Sequence, residues 1–139
     1  MPVPRGRVFA FFADAGNLDR ITPPWMNFEV LTPRPIAMQP GTLIDYRLRV
    51  RRLPIRWQSE ITVWEPPHRF IDVQRRGPYR QWIHEHAFEE CDGGTVIRDR
   101  VEYAVPGWLL EPLVHRWLVG PDLRKIFEFR KTCIAELLK

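Results

Sequence analysis

Polar and apolar residues alternate through most of the middle of this chain. In the segment 42–51, Ile44, Tyr46 and Leu48 are each followed by a charged residue, so apolar and charged side chains would lie on opposite faces of a strand. Runs of this kind, separated by turns rich in proline and glycine, predict strands at 27–33, 42–51, 55–64, 69–75, 80–90 and 94–105. Because the connections are short, successive strands are expected to pair antiparallel.

Helical spacing of apolar residues is confined to the two ends of the chain. The opening residues predict two short helices, with Asn17 as the N-cap of the second. Beyond Pro106, the spacing predicts a short helix at 109–118 and a long amphipathic C-terminal helix that begins near Gly120.

Together these elements predict a single α+β domain over residues 1–139. The six strands would form one curved antiparallel sheet, with the two short helices before it and the long C-terminal helix against its concave face. A strongly curved sheet cannot fill its concave side with its own side chains. We therefore expect a pocket between the sheet and the long helix.

The composition is that of an ordinary globular domain and excludes several classes of protein. Of the 139 residues, 45% are hydrophobic and 27% are charged, and no apolar run is long enough to cross a bilayer. The first residues do not form a secretory signal, and Cys91 and Cys133 have no metal-binding or redox spacing. We therefore expect a reduced, cytoplasmic protein.

The net charge of +4 comes mostly from arginine and would favour anionic partners. In a groove that binds nucleic acid, basic residues are interleaved with exposed aromatic rings, whereas most aromatic residues here are expected to face inward. We therefore expect a solvated basic outer face and no nucleic-acid partner. Transient contact with an anionic membrane surface is an alternative that the sequence leaves open.

The segment WIHEHAF, which contains His84 and His86, carries the most distinctive candidate chemistry. On a strand, the two histidines point to the same side together with two aromatic neighbours. Asp99 lies on the strand expected to pair next. The preceding hairpin places Asp72 or Gln74 near His84, and a register slip of one residue would reverse their faces.

The two histidines and two aspartates allow three interpretations. A buried polar network that fixes strand register is favoured, because structural networks also perturb ionisable groups. The second interpretation is a polar wall that hydrogen-bonds a ligand. The third is proton transfer, in which His84 or His86 acts with Asp72 or Asp99. A metal site would need three or four converging ligands, and the aromatic flanks favour an apolar surface instead.

Aromatic residues supply the other candidate walls of the predicted pocket. Arg130 interrupts the apolar stripe of the C-terminal helix, where it would extend to solvent or pair with a ligand carboxylate or an internal aspartate. The candidate ligand-binding residues are Tyr46, Trp57, Trp82, His84, His86, Asp99, Tyr103, Trp117, Phe127 and Arg130.

Several segments of the sequence resemble one known superfamily. They lie at 8–14, 57–61, 70–74, 77–88, 99–103 and 127–130, and the strongest reads GPYRQWIHEHAF. These segments resemble the START-like (SRPBCC) or helix-grip superfamily, which includes lipid-transfer domains, polyketide cyclases and aromatases. Within it, the chain is similar to a bacterial branch of uncharacterised ligand-binding proteins. The resemblance implies a helix-grip fold and no metal or cofactor.

The sequence departs from the superfamily at its start. Members begin with a strand ahead of the first helix, and here only Met1, Pro2 and Val3 precede Pro4. That strand would lie beside the last strand, so its loss predicts an unpaired edge at 94–105. Two hypotheses follow: the recorded sequence begins late, or this edge pairs with a second copy to form a homodimer.

The resemblance and the pattern together predict a binding protein rather than an enzyme. Its ligand would be a small hydrophobic or amphipathic molecule held for transport, storage or sensing, with the segment 17–26 and the turn 76–79 at the mouth of the pocket. The first alternative is a polyketide cyclase or dehydratase that uses the histidines and aspartates above. The second is a protein-interaction module with a closed core and no ligand.

Overall fold

The computed structural model describes residues 1–50, 52–105 and 120–138. The chain opens with helix α1 (Arg5–Ala13) and three turns of 3₁₀ helix at Ala15–Asn17, Asp19–Ile21 and Pro24–Met26. The strands are β1 (Glu29–Val30), β2 (Leu43–Val50), β3 (Leu53–Glu65), β4 (Arg69–Arg76), β5 (Gln81–Cys91) and β6 (Gly94–Ala104). The described chain closes with helix α2 (Gly120–Leu137).

This order confirms the α+β helix-grip prediction, with two corrections near the N-terminus. The strand predicted at 27–33 is only two residues long. On one side, Asn27 has a left-handed backbone with a φ of 45°, which is not a strand conformation. On the other side, the Asp45 amide of the neighbouring strand donates to the Thr32 side chain instead of to a backbone carbonyl. Three 3₁₀ turns replace the second predicted helix. The turn Asp19–Ile21 begins after Leu18 without a side-chain cap, so the prediction that Asn17 caps it is wrong. Asp14 caps the first turn by accepting a hydrogen bond from the Gly16 amide at 2.8 Å. The helix predicted at 109–118 lies outside the described residues.

The six strands form one antiparallel sheet in the order β1 to β6. Ile44, Tyr46 and Leu48 of β2 are buried, whereas Arg47 and Arg49 between them are exposed, as the alternating pattern predicts. Two register shifts in β3, between Gln58 and Ser59 and between Ile61 and Val63, interrupt its pairing with β4. Irregularities of this kind bend a strand and add to the curvature of the sheet.

The register of β4, β5 and β6 decides which polar residues meet. Asp72 lies directly opposite His84, and His86 lies between Phe70 on one neighbouring strand and Asp99 on the other. The open choice between Asp72 and Gln74 is therefore settled in favour of Asp72. Gln74 instead donates a hydrogen bond to the Tyr79 carbonyl oxygen at 2.6 Å and holds the β4–β5 turn.

Packed aromatic residues fill one part of the concave face. Phe9 of α1 contacts Phe88 of β5, Phe70 of β4 and Trp64 of β3 at ring-centroid distances of 5.4, 6.1 and 5.2 Å. On α2, Ile134 is buried in the same apolar cluster. Each fully buried side chain of this size contributes about 2–3 kcal/mol, so this cluster fixes both helices on the sheet.

The first residues of the chain cover the start of the β6 edge. The Met1 ammonium donates to the Thr95 carbonyl oxygen at 2.9 Å, and the Met1 carbonyl accepts from the Thr95 amide at 2.8 Å. The Thr95 hydroxyl donates to the Val3 carbonyl at 2.7 Å. The prediction of an entirely unpaired edge is therefore wrong at Thr95. Pairing of the rest of that edge with a second copy stays a prediction.

No helix in the described ranges is both long enough and apolar enough to span a membrane.

Candidate functional site

A cavity of about 350 Å³ lies between the concave face of the sheet, α2 and the N-terminal 3₁₀ turns. Its walls are mostly apolar and include Phe12, Ile44, Leu48, Ile61, Trp82 and Phe127. Both predicted mouth segments contribute to the lining, the first through residues such as Leu18 and Met26 and the second through Tyr79. Just outside, the exposed Trp25 packs on Phe129 of α2 at 5.8 Å between ring centroids.

Two histidines and two aspartates from three adjacent strands form a compact group, here named the His–Asp cluster (Asp72, His84, His86 and Asp99). The rings of His84 and His86 lie 3.7 Å apart between centroids. His84 Nε2 donates to Asp99 Oδ1 at 2.9 Å, and His86 Nε2 donates to Asp72 Oδ2 at 2.7 Å. An ionised carboxylate has no proton to give, so each Nε2 must carry the hydrogen.

The two histidines are not equivalent. Their side chains are only 5% and 4% exposed, and burial penalises the charged form of both. For His84, burial and the neighbouring His86 lower the pKa to about 4. For His86, burial opposes the charge, but hydrogen bonds to Asp72 and Asp99 outweigh it and raise the pKa above its ordinary value. The cluster therefore holds the neutral imidazole of His84 in contact with the imidazole of His86, which is protonated more readily.

The carboxylates of the cluster stay ionised. Burial alone would raise the pKa of Asp72, but the hydrogen bond from His86 and the charges of nearby histidines and Arg130 lower it. Burial opposes ionisation of Asp99 as well, and hydrogen bonds from both imidazoles lower its pKa far below the ordinary range. The cluster thus places one negative group, Asp72, in the wall of an apolar cavity and a second, Asp99, beside that wall, each tied to an imidazole.

Arg130 of α2 and Tyr46 of β2 also belong to the polar lining of the cavity. The Arg130 guanidinium carbon lies 5.8 Å from the centroid of the Phe12 ring. Burial raises the pKa of Tyr46 above its ordinary value, so the phenol stays protonated. Ser59 is buried beside it and accepts a hydrogen bond from the Trp57 indole at 3.0 Å.

The sequence matches the family described as "Polyketide cyclase / dehydrase and lipid transport" over residues 1–129. The chain belongs to this family. The resemblance to the START-like superfamily is thereby confirmed. No curated protein sequence matches the chain significantly.

Solved structures of other proteins share the fold of this member of the polyketide cyclase/dehydrase and lipid transport family. Protein CV1439 from Chromobacterium violaceum has a TM-score of 0.76 at 13% identity, covering 99% of this chain and 91% of its own. Protein TTHA0849 from Thermus thermophilus has a TM-score of 0.67 at 19% identity, covering 100% and 94%. Ara h 8.0201 has a TM-score of 0.64 at 17% identity, covering 97% and 92%.

The structure of this family member brings most of the sequence-predicted site residues to the cavity. They are Tyr46, Trp57, Asp72, Trp82, His84, His86, Phe127 and Arg130. Asp99 hydrogen-bonds His84 but is not itself part of the lining, and Tyr103 packs behind Trp82 at 6.2 Å between ring centroids. Trp117 lies outside the described residues.

Several lining residues were not predicted from the sequence. Ser59 lines the cavity, and so does Tyr79, which the sequence placed only in a mouth turn. Burial raises the pKa of Tyr79 to about 12. The apolar lining from the 3₁₀ turns was anticipated only as a mouth segment. The signal for Ser59 is its place two residues after Trp57 on the same face of β3, since alternate residues of a strand share a face.

Metal binding competes with the hydrogen bonds in the family member's His–Asp cluster. Ligand atoms of Asp72, His84 and His86 lie within 4.8 Å of one another. In each of these histidines the Nε2 hydrogen is donated to a carboxylate, so a metal would bind at the unprotonated Nδ1. Asp72 Oδ2 already accepts the hydrogen bond from His86, and a metal at this oxygen would compete with that bond. The expectation of no metal stays a prediction.

Proposed function

We propose that this protein binds a small hydrophobic or amphipathic ligand in the cavity between sheet and α2, for transport, storage or sensing. The observation that carries this proposal is the cavity itself, whose volume of about 350 Å³ falls within the range of small-molecule sites. A closed-core interaction module would have side chains in that space. A cytoplasmic location is part of the same proposal.

Burial of apolar surface would supply the affinity. A ligand that removes about 300 Å² of apolar surface from water gains about 7 kcal/mol before the costs of association. The ligand would contact purely apolar side chains of the lining such as Ile44, Leu48 and Ile126. The His–Asp cluster and Arg130 would orient its polar end.

The proposal is tested with the neutral probe Nile red and with native mass spectrometry of freshly purified protein. We expect saturable fluorescence enhancement and a co-purified small molecule. Ile126→Trp would fill part of the cavity and weaken probe binding about tenfold. The matched control is Lys125→Trp, which adds the same ring at an exposed neighbouring position. Equal binding to both variants, or no saturable binding, would refute the proposal.

A second candidate function is a cyclase or dehydratase. The observation that favours it is the pair of histidines whose pKa values move in opposite directions, a pattern that suits one acid and one base. In that case His84 would accept a proton from a bound β-polyketone and His86 would donate one. Replacement of His84 by Gln distinguishes the candidates: a catalyst loses turnover of a β-polyketone but retains binding, whereas a carrier shows no turnover before or after the change.

A further inference from the structure

Arg130 is the one arginine or lysine among the described residues that line the cavity. It lies on α2, opposite the concave face of the sheet, four residues before the buried Ile134. The neighbouring positions Lys131 and Glu128 are exposed, so this helix places one charged side chain inward and others outward.

Arg130 is half-buried, and its guanidinium has no hydrogen-bond partner among the described residues. Its Nε is sealed from solvent and has no hydrogen-bond partner in the described part of the chain. The ring of Phe12 offers only a contact at 5.8 Å. Burial lowers the pKa of Arg130, although the charges of Asp99 and Asp72 act in the opposite direction. A buried charge of this kind is costly unless it is paired and hydrogen-bonded.

The carboxylates of the His–Asp cluster do not fill this role. Asp99 Oδ1 accepts from His84, and Asp72 Oδ2 accepts from His86, at 2.9 and 2.7 Å. Both side chains are therefore held toward β5 and act on Arg130 through longer-range attraction. A ligand in the cavity could supply the direct partner that the guanidinium lacks.

We propose that Arg130 binds the carboxylate of the ligand, so that the cavity takes an amphipathic organic acid with one acidic head and an apolar body. This inference rests on the proposed function and names its ligand class. A guanidinium matches a carboxylate with two parallel hydrogen bonds. The phenol of Tyr46 also lines the cavity and remains protonated, so it can donate to the same head group.

The rest of the lining selects the body of the ligand. Phe12, Leu48 and Ile126 are among the apolar side chains that line the same cavity as Arg130. A phosphate would bring nearly two negative charges, and the described lining has one arginine to receive them. A monocarboxylic acid with an aliphatic or aromatic body therefore fits both parts of the cavity.

The test compares decanoate with 1-decanol, which have the same chain and differ in the charge of the head. Each displaces Nile red from the wild type, from Arg130→Met and from Arg130→Lys at pH 7.5. We expect the wild type to bind decanoate at least tenfold more tightly than decanol, since a charged hydrogen-bonded contact supplies such a factor. Arg130→Met should lose this preference and keep its affinity for decanol within about twofold, because Met retains the apolar stem. Arg130→Lys should retain part of it.

The matched control is Lys131→Met, which removes an exposed cation from the next position of the same helix. It should leave the preference for decanoate unchanged. Circular dichroism spectra and melting curves verify that each variant folds; if Arg130→Met does not, the wild-type comparison and Arg130→Lys still decide. Saturable Nile red binding with no preference for decanoate overturns this inference and leaves the proposed function standing. Failure of all three probes to bind overturns both.

Discussion

The buried His84 should make the stability of this protein depend on acidity in a defined pH window. Its folded-state pKa of about 4 lies below the value of about 6.5 for an unfolded histidine, so the unfolded chain binds the extra proton first. The stability contributed by neutral His84 is fully present above pH 6.5 and is lost as the pH falls toward 4. A shift of 2.5 pH units corresponds to about 3 kcal/mol.

The other members of the cluster do not titrate in this window. His86 has a raised pKa, so its contribution is complete below pH 6.5 and is lost only as pH rises through its folded value. Asp72 and Asp99 have lowered pKa values, so their contributions persist above about pH 4 and are lost below it. Arg130, which faces the cluster from α2, stays charged. The interval from pH 6.5 to 4 therefore isolates His84.

Urea unfolding at a series of pH values, followed by tryptophan fluorescence, measures this dependence. We expect the wild-type free energy of unfolding to fall by about 3 kcal/mol between pH 7 and pH 4. His84→Gln keeps an amide donor for Asp99 but cannot be protonated, so most of this pH-dependent loss should disappear. His68→Gln is the matched control, because His68 is exposed and should leave the wild-type curve unchanged. An identical pH-dependent loss in wild type and His84→Gln would refute the reasoning.

Three other predictions concern the core, the N-terminus and metal. Phe9→Ala removes a buried ring that packs on three other aromatic side chains and should lower the free energy of unfolding by about 3–5 kcal/mol in urea titrations. Gly94→Ala would place a Cβ against the Met1 carbonyl oxygen and should detach the first residues from the edge of β6. Hydrogen exchange of the Thr95 amide should then be faster, and unchanged exchange contradicts this. Zn²⁺ at tenfold excess should leave the melting temperature unchanged, because Asp72, the one carboxylate among the candidate metal ligands, already accepts a hydrogen bond from His86; a raised melting temperature contradicts this.

The strands could be predicted because their signal is local. In β2, buried apolar and exposed charged residues alternate without interruption, and a period of two residues indicates a β-strand rather than a helix. The short β1 could not be predicted, since its length depends on the left-handed backbone of Asn27 and on a bond from the Asp45 amide to a side chain. Pairing at the β6 edge depends on contacts between residues more than ninety positions apart, which no local pattern records.

The residues of the polar site could be predicted, but the hydrogen-bond partner of each residue could not. The spacing of His84 and His86 places them on one face wherever β5 lies. Which aspartate bonds which histidine depends on strand register, and one residue of slip would reverse it. The orientation of Arg130 follows from how α2 lies on the sheet, which is why the sequence left solvent and cavity as alternatives.

The position of the polar groups links stability to function in this fold. A buried ionic group is often no more stabilising than well-packed apolar residues of the same volume. If the His–Asp cluster served only to fix strand register, it would be equally effective in a filled core. Here it borders a cavity of about 350 Å³, with Arg130 facing the same space from the helix. Opposite charges on two walls of an apolar cavity can orient a molecule with distinct polar and apolar parts, so the proposed ligand recognition would account for both the space and its charges.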